Sequence, residues 1–448
     1  MKEISFKYSD INRDILRTLE QPSVGWAVMM FFIVIGVLIG AGSWTYQIIE
    51  GMGVAGLNHP VGWGVYITDF VFWVGIGHAG TLISAILFLF RAKWRNAIFR
   101  SAEAMTIFAV LTAVLFPLIH VGRAWVAWWL IPYPNQRMLW VNFRSPLLWD
   151  VFALNTYFSV SCIFFCIGLL PDIAAIRDRA TGLRRKIYGL MSLGWDSSNK
   201  QWRHYMAGYG FFAALATPLV LSVHSIVSWD FAVSIVPGWH STIFAPYFVA
   251  GAVFSGMAMV ITILIPFRTI FKLEKYLTHW HFDMMCRLII LTGTIVTYSY
   301  LTEYFIAWYG DDMFEQFIFW ERSFGAYAVA FWLMFFCNCV APLPLWFKSV
   351  RHNLLFVWII TIFINIGMWF ERFNIIVSSL TQEYDPYAWG WYAPSMVEMG
   401  ITLGSFCWFF MWFFAFIKFF PSLAITEMKE IAPPPMSGDS GDAVEEAA

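Results

Sequence analysis

The sequence predicts an all-α, polytopic membrane protein of about ten helices, on three observations. Of 448 residues, 59% are hydrophobic, 20% aromatic and only 13% charged, and the mean hydropathy is +0.64. That balance leaves too few polar groups to cover a soluble globule of this length. Ten apolar stretches are each long enough to cross a hydrocarbon core of about 30 Å. Lysine and arginine are gathered on alternate loops, as the positive-inside rule requires of a multi-pass chain.

The spans are expected near 25–49, 64–90, 101–130, 146–170, 203–228, 240–266, 284–308, 322–346, 352–379 and 392–419. Residues 1–24 are expected to be a cytoplasmic N-terminal segment, of which 1–22 are polar and charged, without the short apolar core and cleavage site of a signal peptide. Residues 25–63 supply the first helix and an outer loop, 64–239 a first set of four helices, 240–391 a second set, and 392–420 the last helix. The tail 421–448 turns polar from Ile431, with three prolines and then Ser, Gly, Asp and Glu, and is too hydrophilic to pack. No stretch is large enough for a separate soluble domain, so soluble chemistry must come from partners.

Orientation follows from the basic residues. Placing the N-terminus inside puts all but five of the 28 lysines and arginines on the cytoplasmic side, among them Lys2, Lys7, Arg13, Arg17 and the run in 171–203. The five outside are Arg123, Arg137, Arg144, Arg322 and Arg372, beside Asp311, Asp312, Glu315, Glu383 and Asp385. Both termini are then cytoplasmic.

The two sets of four look like a parallel internal repeat, packed as two four-helix bundles flanked by spans one and ten. His120–Arg123 lies late in span three and Glu303 late in span seven. Asp150 opens span four, and Glu321–Arg322 opens span eight. Asp230 closes span five, and Glu371–Arg372 closes span nine.

Ionisable groups inside a bilayer are costly and are usually kept for ion, proton or substrate handling. At about 1.5 Å per helical residue, His120, Asp150 and Asp230 lie about 26, 33 and 40 Å from the inner ends of their helices. All three therefore fall in one outer layer, on three sequential helices. An imidazole and two carboxylates at the rim of an apolar, aromatic pocket suit a quinol, whose oxidation releases two protons. Arg123, one turn beyond His120, is placed to hold Asp150 ionised. Deeper polar residues, Asp69, His78, Glu303 and Glu371, with His224, Tyr298, Asn338 and Asn365, form either a proton path or hydrogen-bonded glue between helices.

His78, His120 and His224 sit at unequal depths, and no helix carries two widely spaced histidines, against a b-type haem. The six cysteines, Cys162, Cys166, Cys286, Cys337, Cys339 and Cys407, lie in spans without zinc or iron–sulfur spacing. No metal site is expected. No P-loop or dinucleotide fingerprint occurs, and nothing points to nucleic acid.

With these residues in place, the chain resembles the NrfD-like, or polysulfide-reductase-type, integral membrane family. Within it the chain is most similar to the larger, quinol-binding NrfD-like component of bacterial alternative complex III. The likeness rests on the one-plus-four-plus-four-plus-one arrangement, Gly75-Ile76-Gly77-His78-Ala79-Gly80, the late His120 and Arg123, Ser145-Pro146-Leu147-Leu148-Trp149-Asp150, and Ser228-Trp229-Asp230. The resemblance implies menaquinol oxidation at the periplasmic side of the bacterial inner membrane. His120, Asp150 and Asp230 would be the reacting groups, with Arg123 and Trp149 in the pocket. It implies no haem or iron–sulfur cluster in this chain, with electrons leaving through a periplasmic iron–sulfur subunit to c-type haem subunits. A second NrfD-like subunit is the membrane partner, and Asp69, His78, Glu303 and Glu371 would carry any proton translocation.

Two other readings stay open at this point. One is the membrane anchor of a polysulfide-reductase-type molybdoenzyme, and the other a secondary transporter, which would use the midplane charges Glu303 and Glu371.

Overall fold

The computed structural model describes residues 8–19, 22–132 and 143–431. Lys2, Lys7, Arg137 and the tail beyond Ile431 lie outside the described residues. Ten helices have the length and apolarity of membrane spans: α1 Val24–Glu50, α2 Val65–Leu89, α3 Phe99–His120, α4 Pro146–Arg179, α5 Asn199–Ala232, α6 Phe244–Ile270, α7 His279–Tyr309, α8 Ala328–Trp346, α9 Leu354–Ser378 and α10 Met396–Phe419. No strand occurs among the described residues. Helices satisfy every backbone group within the segment, which lipid demands.

Local chemistry sets the ends. The Ser23 hydroxyl accepts from the Trp26 amide at 3.2 Å to start α1. Pro146 occupies the first turn of α4, where its missing N–H costs nothing. Ser395 and Glu398 form a capping box at α10.

Three boundaries differ from expectation by more than about five residues: span four, expected to end at 170, runs on to Arg179, and two others have a local cause. Span three, expected to run to 130, ends at His120. Pro117 removes a backbone donor in its last turn, and Gly122 follows at φ +77°, the left-handed conformation that closes helices. A 3₁₀ segment, Ala124–Leu130, then takes over. Span eight, expected from 322, starts at Ala328. Met313–Phe324 is a separate helix, capped by Asp312 and ended at Gly325. Glu321 and Arg322 belong to that short helix, so they do not open a span as Asp150 does.

In lipid, helices associate by close packing rather than by burying apolar surface from water. α2 and α6 are the most enclosed, with 83% of the apolar window of each buried, and they pack on each other. Gly80 abuts the Ala102 carbonyl of α3, and Gly256 of α6 abuts Ala79 of α2. Around this centre α3, α5, α7 and α9 make contact with α2 or α6, α4 lies on α5, and α8 on α9. α1 is only 11% buried over its window and rests on α10. A Cβ at Gly40 would lie 2.6 Å from Gly404 Cα, so this seam needs both glycines. π-helical turns interrupt α2 at Leu82–Ile86, α8 at Phe336–Val340 and α9 at Asn374–Ser378.

The first turn of α3 and the last turns of α4 are tied by buried charges. The Arg100 guanidinium donates to Glu103 at 3.1 Å, Asp172 at 3.2 Å and the Gly168 carbonyl at 2.6 Å. Arg95 donates to Glu427 at 2.8 Å, docking the short helix Ile425–Ile431 under the bundle. Burial pushes the Glu427 carboxyl up to about 7, against the pull of Arg95.

Candidate functional site

α4 and α5 pack side by side, antiparallel, so the first turn of one meets the last turns of the other. This brings Asp150, four residues after Pro146, against Asp230, two residues before the end of α5 at Ala232. The two carboxyl groups lie within hydrogen-bond reach of each other. A bond between two carboxyls needs a proton on one of them, since an ionised carboxylate only accepts. Asp150 is 7% exposed, and one oxygen of each acid, Asp150 Oδ1 and Asp230 Oδ1, is buried without a hydrogen bond. The residues that precede the two acids also meet. The rings of Trp149 and Trp229 meet edge to face at 6.1 Å, and the Trp149 indole N–H donates to the Phe143 carbonyl at 2.6 Å.

His120 is the last residue of α3. Its Nδ1 is buried with no hydrogen-bond partner among the described residues. No hydrogen bond or ion pair joins His120 to Asp150 or Asp230. Arg123 is exposed and makes no ion pair with Asp150, contrary to the expectation that it holds that acid ionised. The cause is the left-handed turn at Gly122, which breaks the helix between His120 and Arg123, so the two no longer lie one turn apart on one face. The structure therefore joins the two acids, leaves one imidazole nitrogen unpaired, and sets Arg123 in the open.

The deeper residues fall into separate groups. Asp69 accepts from the Trp369 indole at 2.7 Å and from the Thr402 hydroxyl at 2.7 Å, linking α2, α9 and α10. His78 engages the Val74 carbonyl at 2.5 Å through Nδ1, stacks on Tyr157 at 5.1 Å, and lies 4.6 Å, ring to ring, from His224. The expectation that these two histidines sit at unequal depths fails here, since their rings meet at one level between α2 and α5. His78 Nε2 and both nitrogens of His224 are buried without partners among the described residues. Glu371 accepts from the Tyr300 hydroxyl and pairs with Arg372 at 2.9 Å. Asn338 donates to the same Tyr300 hydroxyl at 2.8 Å. Glu303 is 7% exposed, near Glu371, Arg322 and Arg372, with Oε1 unpartnered. Phe248 touches both groups. His224 lies 5.8 Å from its ring, and the Arg372 guanidinium sits 4.2 Å over it. Glu303 and Glu371 are thus neighbours, as are His78 and His224, but among the described residues no hydrogen-bond chain joins one pair to the other.

Sequence reasoning passes over Gln47, Tyr66, Tyr157, Tyr247 and Tyr300. Gln47, wholly buried, is legible as a lone amide in an apolar helix. The tyrosines carry no such signal, because an aromatic in a span is ordinarily packing.

Chemically, two facing acids with one proton between them could accept another from a hydroxylated ligand, and the His120 imidazole, with an unpaired nitrogen, is a second acceptor at the end of α3. Among the described residues, no group of three or more His, Cys, Asp or Glu side chains is placed to hold a metal ion.

Residues 53–382 match the family described as polysulphide reductase, NrfD. The chain is 26% identical over 255 residues to a putative dimethyl sulfoxide reductase membrane subunit of Halobacterium salinarum, covering 56% of this chain and 54% of that protein. It is 23% identical over 246 residues to a selenate reductase subunit of Mesobacillus selenatarsenatis, covering 53% of this chain and 54% of that protein. The matched region thus spans about half the length of these two relatives. The Hdr-like menaquinol oxidoreductase integral membrane subunit of Archaeoglobus fulgidus matches at 21% identity over 440 residues, 92% of this chain and 98% of that one.

Proposed function

From a chain that belongs to the polysulphide reductase NrfD family, we propose a membrane subunit of an oxidoreductase complex that binds and oxidises a quinol, menaquinol above all. One observation carries the reading: Asp150 and Asp230, buried carboxyls from two helices, face each other at one end of the bundle, each with an oxygen left unpaired beside the paired rings of Trp149 and Trp229. Oxidising a quinol to a quinone releases two electrons and two protons. The acid pair takes one hydroxyl proton and His120 the other, while Trp149 stacks along the ring and Arg123 sits at the mouth. A positioned base of this kind contributes about 10²–10⁴-fold in rate. The menaquinol-linked relative, matched almost end to end, supports the substrate class.

The distribution of basic residues favours a periplasmic outer face, cytoplasmic termini and a bacterial inner membrane. Electrons then pass to an iron–sulfur subunit on that face and on to c-type haem subunits, beside a second NrfD-like membrane subunit, as in alternative complex III. Helices α2–α5 and α6–α9 act as two four-helix units, the first holding the quinol. Asp69, His78, Glu303 and Glu371 are the groups through which protons would cross. The two reductase relatives favour a second reading, in which the same site feeds a terminal reductase instead.

A density map of the complex from native membranes, prepared with a quinol analogue, tests both. The analogue is expected against Asp150 and Asp230, with an iron–sulfur centre of a neighbouring subunit within tunnelling reach. An analogue bound elsewhere would remove the site assignment, and a catalytic reductase subunit on that face would favour the second reading.

A further inference from the structure

Resting on the quinol reading, we infer that Gln47 of α1 is a positioning residue for His120, acting through the turn that ends α3. The imidazole has no hydrogen bond at Nδ1, so nothing at that nitrogen fixes the ring. Its aim therefore depends on the backbone turn from Ile119 to Arg123. That turn is gripped from α1 on both sides of the histidine. On one side, Gln47 Nε2 donates to the Ile119 carbonyl at 3.0 Å. This carbonyl is one of the acceptors that a helix end leaves without an intrahelical partner, and it also takes the Gly122 amide at 3.1 Å. On the other side, Met52, just beyond α1, packs so closely that a Cβ on Gly122 would meet its Cγ at 2.6 Å.

The amide is itself aimed. Its Oε1 accepts from the Tyr66 hydroxyl of α2, and its Nε2 lies 3.2 Å from Met52 Sδ. Gln47 is wholly buried, although its helix is otherwise among the most exposed in the molecule. An apolar span keeps such a group only where it is satisfied. Here all of its bonds converge on the histidine turn and on the helix beside it. α1 is thus more than an anchor, since its last turns set where the imidazole points.

The test uses native membranes carrying the full complex and a short-chain naphthoquinol as substrate, with kcat, KM and the pH profile measured for Gln47→Leu, His120→Ala and Thr45→Ala. Displacing a reacting group by about 1 Å costs up to about a hundredfold. Gln47→Leu is therefore expected to lower kcat about tenfold or more, to leave KM within about twofold, and to weaken the same limb of the pH profile that His120→Ala abolishes. Thr45→Ala, on the exposed face of α1, should match wild type. If His120→Ala is inactive while Gln47→Leu keeps wild-type kcat and pH profile, the positioning role is wrong and the quinol site stands. If His120→Ala turns over normally, the site reading itself has failed. Should Gln47→Leu not assemble, Met52→Ala decides, because it loosens the grip on Gly122 and removes the sulfur partner of Gln47 Nε2 while leaving the bond to the Ile119 carbonyl in place. Wild-type kcat there overturns the inference.

Discussion

Replacing Asp150 by asparagine separates the proton chemistry of the acid pair from its structural role. Asparagine has nearly the same volume, and its amide N–H can donate to an ionised Asp230, so the contact between α4 and α5 survives. What disappears is the shared proton and one carboxylate able to receive another. General acid–base contributions of about 10²–10⁴-fold correspond to about 2.7–5.4 kcal/mol at about 1.36 kcal/mol per decade. Quinol oxidation in Asp150→Asn should therefore fall by at least about a hundredfold, with complex abundance unchanged. Asp150→Ala should match it in rate. It should also lose some stability, because Asp230 keeps a buried oxygen without its partner. The assay is quinol-dependent electron transfer in membranes, normalised to the subunit by immunoblot. Turnover within about twofold of wild type in both variants would refute the role given to the pair.

Other predictions follow from neighbouring observations. Arg100→Leu leaves Glu103 and Asp172 buried without their cation. It should destabilise the protein by about 3–5 kcal/mol, read as a lowered unfolding midpoint in detergent; an unchanged midpoint would mean that water reaches those acids. Glu303 has an unpartnered oxygen and no direct ion pair among the described residues, so Glu303→Gln should leave assembly and quinol oxidation intact. If it lies on a proton path, the variant lowers the protons moved per quinol, measured in proteoliposomes; equal loss of both activities would count against a separate route. The Glu427 carboxyl is held up at about 7, so the docked helix Ile425–Ile431 binds this proton more tightly than the undocked one. Docking is therefore strongest at low pH and weakens as pH rises from about 4.5 through about 7. Hydrogen exchange of residues 425–431, corrected for intrinsic rates, should show less protection at about pH 8 than at about pH 5, and Glu427→Gln should remove the difference.

Much of the architecture is readable because lipid allows so few solutions. Apolar length alone locates ten helices, and counting residues along α3, α4 and α5 puts His120, Asp150 and Asp230 in one layer. Arithmetic of that kind holds only until something breaks the helix. Gly122 does so, and the expected partnership of Arg123 with Asp150 fails there because a rule based on one helical turn does not hold past the helix end. Gly325 has the same effect in the second half, detaching Glu321 and Arg322 from α8. Gln47 and Tyr300 escape notice for another reason. Their importance lies in which atoms face them across a helix interface, and depth along a single helix carries no information about azimuth.

The benzene ring of Phe248 has a bearing on how the two halves of the molecule communicate. On one side of it stands His224, and over it the Arg372 guanidinium. A phenyl group offers no exchangeable hydrogen, so a Grotthuss hop cannot traverse it, while the electric field of the cation passes through unimpeded. Through this ring contact the Arg372 charge bears on the paired imidazoles as a field, and a proton moving between Glu371 and His78 would pass beside the ring rather than through it.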